Sequence, residues 1–273
     1  MPDYDRSDED RQFDLRNYEY LRTLSKPAYA WEFTRRNRDF IEDARYCRDF
    51  IPTPRLVAPN TLLCRMVDRC LFAEKWGLYI LPQPSRSAVD IPPFWLPETL
   101  RSTTGIRLVR TRRIDNQPLD LSRFPGRKHV LIPDMGPPEL VAHGPHYAGY
   151  FQISGDWKLL PRRFYLQLQI GLSTRFDAQM EAADALYLLI EGPSPAPWRE
   201  RAYGPNRLRR ALIAYDIRTK FGGSHWDAAR AIFGGKRVDN ARLRHDDSLQ
   251  QRARRSFTTA QRLVDGGYRA LLR

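Results

Sequence analysis

Gln251, Arg254, Arg255 and Thr258 are spaced i, i+3, i+4 and i+7, and Arg262 continues the row at i+11. On a helix that spacing gathers all five on one face, with Arg252 on its flank. The chemistry on offer is recognition of nucleic-acid bases. An arginine can bond guanine O6 and N7 with two N–H groups, a glutamine can pair with adenine, and other cations hold phosphates. A merely solvated face would intersperse carboxylates, yet no acidic residue occurs from Leu249 to Val264. The same stretch carries Leu249, Ala253, Phe257, Ala260, Leu263 and Val264 on the opposite side, as a packed amphipathic helix requires.

Such a helix needs a frame. Residues 206–220 have helical spacing at Leu208, Ala211, Leu212 and Tyr215, and Gly222-Gly223 ends them. Ser224 is a natural N-cap for a short helix reaching Phe233, with Trp226, Ala229 and Ile232 on its apolar side. Helix, glycine turn and helix open a helix-turn-helix. The next connection, 234–245, reads as an extended turn, and its Lys236, Arg237, Arg242 and Arg244 are expected to hold phosphate from a flexible segment. Asp246-Asp247-Ser248 offers N-caps for the recognition helix, which Gly266-Gly267 closes.

Charge supports this reading because it is localised. The chain carries +13 overall. Residues 199–273 hold 18 Lys+Arg against 7 Asp+Glu, or +11, which leaves +2 for the 198 residues before them. That is the electrostatic footprint of a duplex-binding domain, and a fragment beginning near Arg199 is expected to bind DNA by itself. A membrane surface is a poorer match, because no exposed apolar stripe accompanies the charge.

Other chemistry finds little support. His143 and His146 flank Pro145, which disfavours a helical metal face, and no third ligand is evident. Cys47, Cys64 and Cys70 are odd in number and without metal spacing, and Cys64 and Cys70, in an apolar segment, read as core residues. Asp115, Asp120 and Asp134 are scattered among turns. No phosphate loop, dinucleotide fingerprint or nucleophile elbow occurs, so neither an enzyme nor a cofactor is expected. No apolar run could span a bilayer and residues 1–14 do not resemble a signal peptide, so a cytoplasmic protein is expected.

The remainder points to an α+β chain. Residues 1–16 read as a polar, acid-rich lead-in. A helical N-terminal domain is expected over 1–100, ending in a proline-rich linker around Phe94-Trp95. A domain over 101–273 should follow, β-rich over 101–170 and helical and DNA-binding over 174–273. Strands are expected at 106–111, 129–132, 139–142 and 149–153, a strand or helix start at 164–170, and a helix at 176–190. Trp31 and Phe33 are either core or a docking patch, and Arg35 and Arg36 are candidates for interdomain or partner contact.

The residues just described resemble a known pair of families. Ala211-Leu212, Tyr215-Asp216, Gly223-Ser224, Ile232-Phe233-Gly234, Arg254-Arg255 and Gly266-Gly267-Tyr268-Arg269 resemble the proteobacterial family called domain of unknown function 2285. Ala30-Trp31-Glu32-Phe33, with Arg35-Arg36-Asn37, resembles its companion, a transcriptional-regulator-like domain called domain of unknown function 6499. The resemblance implies a two-domain activator of excision and transfer of integrative and conjugative elements. It implies promoter DNA as partner, with RNA polymerase and a related antiactivator as protein partners. The alternative it leaves open is an antiactivator acting through protein contact alone. The chain departs from the family at 238–245, which lacks the tryptophan common in the extended turn.

Overall fold

The computed structural model describes residues 13–47, 53–100, 103–110, 126–143, 148–160, 162–169 and 205–273, with single positions between 176 and 186. Asp115, Asp120, His146 and the Gly-Pro segment at 192–195 lie outside the described residues, whereas the helix expected at 176–190 is helical at each position described. The chain forms two compact units, Met1–Arg22 with Arg199–Tyr268, and Thr23–Trp198 with Arg269–Arg273. The α+β class holds. No helix among the described residues is long and apolar enough to cross a membrane.

The second unit is built on a seven-stranded sheet in the order β1-β2-β4-β5-β6-β3-β7. Strands β1 (Arg55–Ala58) and β2 (Thr61–Arg65) pair antiparallel, and β2 then runs parallel to β4 (Arg127–Ile132). The strands β4, β5 (Glu139–His143) and β6 (Ala148–Gly155) form an antiparallel meander. Strand β3 (Thr103–Val109) lies between β6, to which it is parallel, and antiparallel β7 (Tyr165–Gln169). The expected strands are all present, and 164–170 resolves as a strand. Strands β1 and β2 were not expected, and the region before residue 100 is not helical throughout.

Alternation along the central strands shows both sheet faces covered. Val130, Leu140, Ala142, Phe151 and Ile153 join a core with Leu159, Leu160 and Phe164. Leu131, Val141 and Tyr150, pointing the other way, are also buried.

Helix α1 (Lys26–Thr34) starts at Ser25, whose hydroxyl accepts from the Ala28 N–H, and is buried from Pro27 to Thr34. Trp31 meets Phe40 edge-on, and Phe40, on α2 (Arg38–Tyr46), likewise meets Trp76, which caps the C-terminus of α3 (Leu71–Lys75), both at 5.3 Å between centroids. Trp31 and Phe33 are therefore core and not a docking patch, since neither exposes surface. Arg35 and Arg36 also turn inward, binding the buried Glu32 carboxylate at 2.7 and 2.9 Å. Burial alone would raise the Glu32 pKa, but the charges of Arg35 and Arg36 and the Ala88 N–H outweigh it and hold it below the usual range.

The proline-rich stretch expected as a linker is cover for α1. The Trp31 indole donates to the Arg86 carbonyl at 3.2 Å, Arg35 to the Pro84 carbonyl at 3.0 Å, and the Trp95 indole to the Pro27 carbonyl at 3.2 Å. Together with the β2–β4 pairing, this places the boundary expected near residue 100 inside one unit. Short segments lacking periodicity can still pack when their carbonyls meet indole and guanidinium donors.

Glu139, on β5, is a buried carboxyl. Its pKa is pushed up to about 8, chiefly by burial, with hydrogen bonds from Gln152 and Tyr79 offsetting part of the rise and Glu98 adding to it. A carboxyl raised in the fold contributes stability that is present below its unfolded pKa and lost as pH climbs through the folded value. Glu139→Gln should therefore melt increasingly above wild type as pH rises from about 5 to 8.5. Thermal melts across that range would show no pH-dependent gap if Glu139 were ionised at little cost.

Candidate nucleic-acid interface

The first unit carries the basic residues on α4 (Pro205–Thr219), α5 (His225–Phe233), α6 (Gly235–Leu243) and α7 (Ser248–Val264). Leu208, Ala211, Leu212, Ile213, Ala214 and Ile217 bury most of α4. The chain leaves it through Gly222, at φ +64°, and Gly223, where a Cβ would lie 2.8 Å from Ile217 Cγ2. Only glycine fits that close approach. Ser224 then caps α5 as expected: its hydroxyl accepts from the Asp227 N–H, and the Asp227 carboxylate accepts from the Ser224 N–H.

Segment 234–245, expected as a flexible turn, is a helix. Gly234 at φ +90° redirects the chain, and α6 starts at the next residue. Val238 and Ala241, one turn apart, are its buried residues. Arg230 pairs with Asp239, and the Arg242 guanidinium lies 5.1 Å from the Trp226 ring centre, which ties α6 to α5. Lys236, Arg237, Arg242 and Arg244 are exposed on or beside a regular helix and so are presented rigidly.

Helix α7 packs on α4 and α5 through Leu249, Ala253, Ala260, Leu263 and Val264. Phe257 stacks with Tyr215 at 6.0 Å and meets His225 edge-on at 5.8 Å. These contacts fix the rotation of α7 about its axis. Gln251, Arg252, Arg254, Arg255, Thr258 and Arg262 are all left exposed. Local positive potential is visible at His225, whose pKa is lowered by burial first and then by the charges of Arg218 and Arg254.

Residues that sequence reading passed over complete the unit. The 3-10 helix Leu15–Thr23 begins within the expected lead-in, and the Tyr18 hydroxyl donates to the buried Asp216 carboxylate on α4 at 2.7 Å. Arg209 bonds the Tyr18 carbonyl and the Glu19 carboxylate, the latter at 2.7 Å. Phe13 meets Phe221 edge-on at 5.6 Å. Arg207 and Arg210 of α4 join Arg252 and Arg255 of α7 around one cleft. The Arg207-Leu208-Arg209-Arg210 run at a helix start was the available signal.

No group of three or more His, Cys, Asp or Glu among the described residues is placed to hold a metal ion. The three cysteines are buried thiols, and burial followed by the neighbouring Cys70 pushes Cys47 up to about 11.

Residues 165–273 match the family model described as "T6SS, Transcription factor, DNA binding domain", which spans β7 and helices α4–α7. No curated protein and no solved structure matches the chain significantly. With that match on its basic helices, the chain carries the DNA-binding domain of a transcription regulator in its C-terminal part.

Proposed function

We propose that this protein is a sequence-specific transcriptional activator that lays α7 in the major groove of a promoter. The observation that supports this most is the exposed face of α7, rich in Gln and Arg, free of carboxylates and held rigidly on α4 and α5. Gln251, Arg254 and Thr258 are the proposed readers of base edges. Thr258 donates its hydroxyl hydrogen to the Arg254 carbonyl, which leaves its methyl and lone pairs for the groove. Lys236, Arg237, Arg242, Arg244 and Arg262 are proposed to grip the backbone and set the register. The sheet-bearing unit is the proposed site of contact with RNA polymerase or with an antiactivator.

The resemblance read from the sequence favours genes for excision and transfer of a mobile element as targets, while the family description names a T6SS. DNA fragments recovered with the purified full chain and sequenced should share a motif, and the recovered promoter should drive a reporter only when the protein is present. A motif upstream of secretion genes would replace the proposed target. Fragments with no shared motif would overturn sequence specificity, and repression of the reporter would overturn activation.

A further inference from the structure

Between α4 and α7 lies a cleft of about 260 Å³. Arg207 and Arg210 border it from α4, and Arg252 and Arg255 from α7. Among the described residues no carboxylate lies within ion-pair distance of Arg210, Arg252 or Arg255. Other arginines of this unit behave differently: Arg209 is paired with Glu19, and Arg230 with Asp239.

Phe233 lines the same cleft and explains how like charges share it. The guanidinium of Arg252 lies 4.9 Å from its ring centre and that of Arg210 lies 5.6 Å away. The negative face of an aromatic ring attracts both cations and orients their planes. It does not neutralise them, so the cleft retains concentrated positive charge. Ser256 and Thr259 also line it, but their hydroxyls donate to the Arg252 and Arg255 carbonyls at 3.0 and 2.9 Å. The donors left for a ligand are guanidinium N–H groups, whose planar forks match phosphate oxygens.

Size narrows the choice. Pockets for whole drug-sized molecules run from about 300 to 1,000 Å³, and this cleft is smaller, so it suits one phosphoryl group with part of its hydration. On α7, Arg252, Arg255, Ser256 and Thr259 fall at i, i+3, i+4 and i+7, along the flank of the helix beside the face proposed to read bases.

We propose that this cleft seats one phosphate of the DNA backbone and thereby sets the register of α7 in the groove. The inference rests on the DNA-binding reading above. It reassigns Arg255, expected from the sequence to read a base, to backbone contact, and it adds Arg207 and Arg210 of α4 to the interface.

The test compares the full-length wild type with Arg210→Gln/Arg252→Gln on a recovered specific duplex and on random duplex. The double variant should lose about tenfold on both at ~0.1 M salt. Its salt slope should fall by about one and not two, because both arginines serve a single phosphate. Arg210→Lys/Arg252→Lys should recover part of the affinity. Neutral methylphosphonates placed singly along the specific duplex give a readout on unaltered protein: one position should cost wild type about tenfold, yet cost the Gln double variant less than twofold. If wild type binds and the variant matches it in affinity and slope, the cleft assignment falls while the DNA-binding reading stands. Wild type that binds no duplex would sink both. Inorganic phosphate or AMP binding in the cleft at micromolar concentration, with duplex affinity untouched by the Gln substitutions, would identify a free phosphorylated ligand and overturn the assignment.

Discussion

Arg254→Glu is expected to lower the affinity of the full chain for duplex DNA by about a hundredfold or more near 0.1 M salt, with little change in melting temperature. Arg254 is exposed on the face of α7 opposite its packed stripe, so the substitution disturbs no core contact. It replaces a cation with an anion at a position proposed to face the groove. Removing one partner of a desolvated, hydrogen-bonded charge pair costs about 2–5 kcal/mol, and each 1.4 kcal/mol is roughly a factor of ten. Charge reversal adds repulsion from the nearest phosphates. Arg254→Ala separates base reading from simple attraction. It should cost about 1–3 kcal/mol on the specific site and much less on random sequence, narrowing the gap between them. Fluorescence anisotropy on both duplexes, with thermal melts as a folding control, measures each quantity. Equal losses on the two duplexes would place Arg254 on the backbone instead.

A chain lacking residues 1–22 is expected to lose much of the stability of the DNA-binding unit although every basic helix remains. Tyr18 is buried and donates to Asp216 at 2.7 Å, itself buried on α4. A hydrogen bond to a charged group contributes about 1.5–3 kcal/mol, and burying a large side chain adds about as much again. The truncated chain should therefore show an early transition for α4–α7, and its DNA affinity should fall in proportion to the unfolded fraction. Tyr18→Phe keeps the ring and removes only the hydroxyl, so it should show the hydrogen-bond part alone. An unshifted transition in the truncated chain would mean that the segment is ornamental. The same contacts revise the expectation for a fragment beginning near Arg199, which lacks Phe13, Tyr18 and Glu19 and so forms an incomplete unit.

Local features of this fold were legible in the sequence, and long-range ones were not. Helices α4, α5 and α7 were visible because each repeats apolar residues at helical spacing and because Ser224 and Gly222-Gly223 punctuate them. Helix α6 was missed because Val238 and Ala241 are its only buried side chains, too few for periodicity to register. Strand β2 was lost within a longer apolar run, since its partner β4 lies more than sixty residues away and pairs in parallel. Trp31 and Phe33 carried no mark distinguishing core from docking surface; that depended on Phe40, Trp76 and the proline-rich cover arriving from elsewhere. Phe13, in the acid-rich lead-in, and Tyr18, just past it, gave no local sign of packing because their partners Phe221 and Asp216 lie about 200 positions away. The exposed, carboxylate-free face of α7 was legible in advance, since its presentation needs only one helix. The arginine cleft was not, because it requires two helices brought together.

The central claim is that the full chain binds duplex DNA through the basic face of α7, and the salt dependence of that binding tests it most directly. Affinity for a random duplex, measured from about 50 to 300 mM salt, should fall with a log–log slope reflecting roughly 5–8 phosphate contacts. Arg254→Glu, folded by circular dichroism, should bind about a hundredfold more weakly. A folded wild-type chain that binds no duplex even at the lowest salt, or an Arg254→Glu chain that binds as tightly as wild type, would contradict the account.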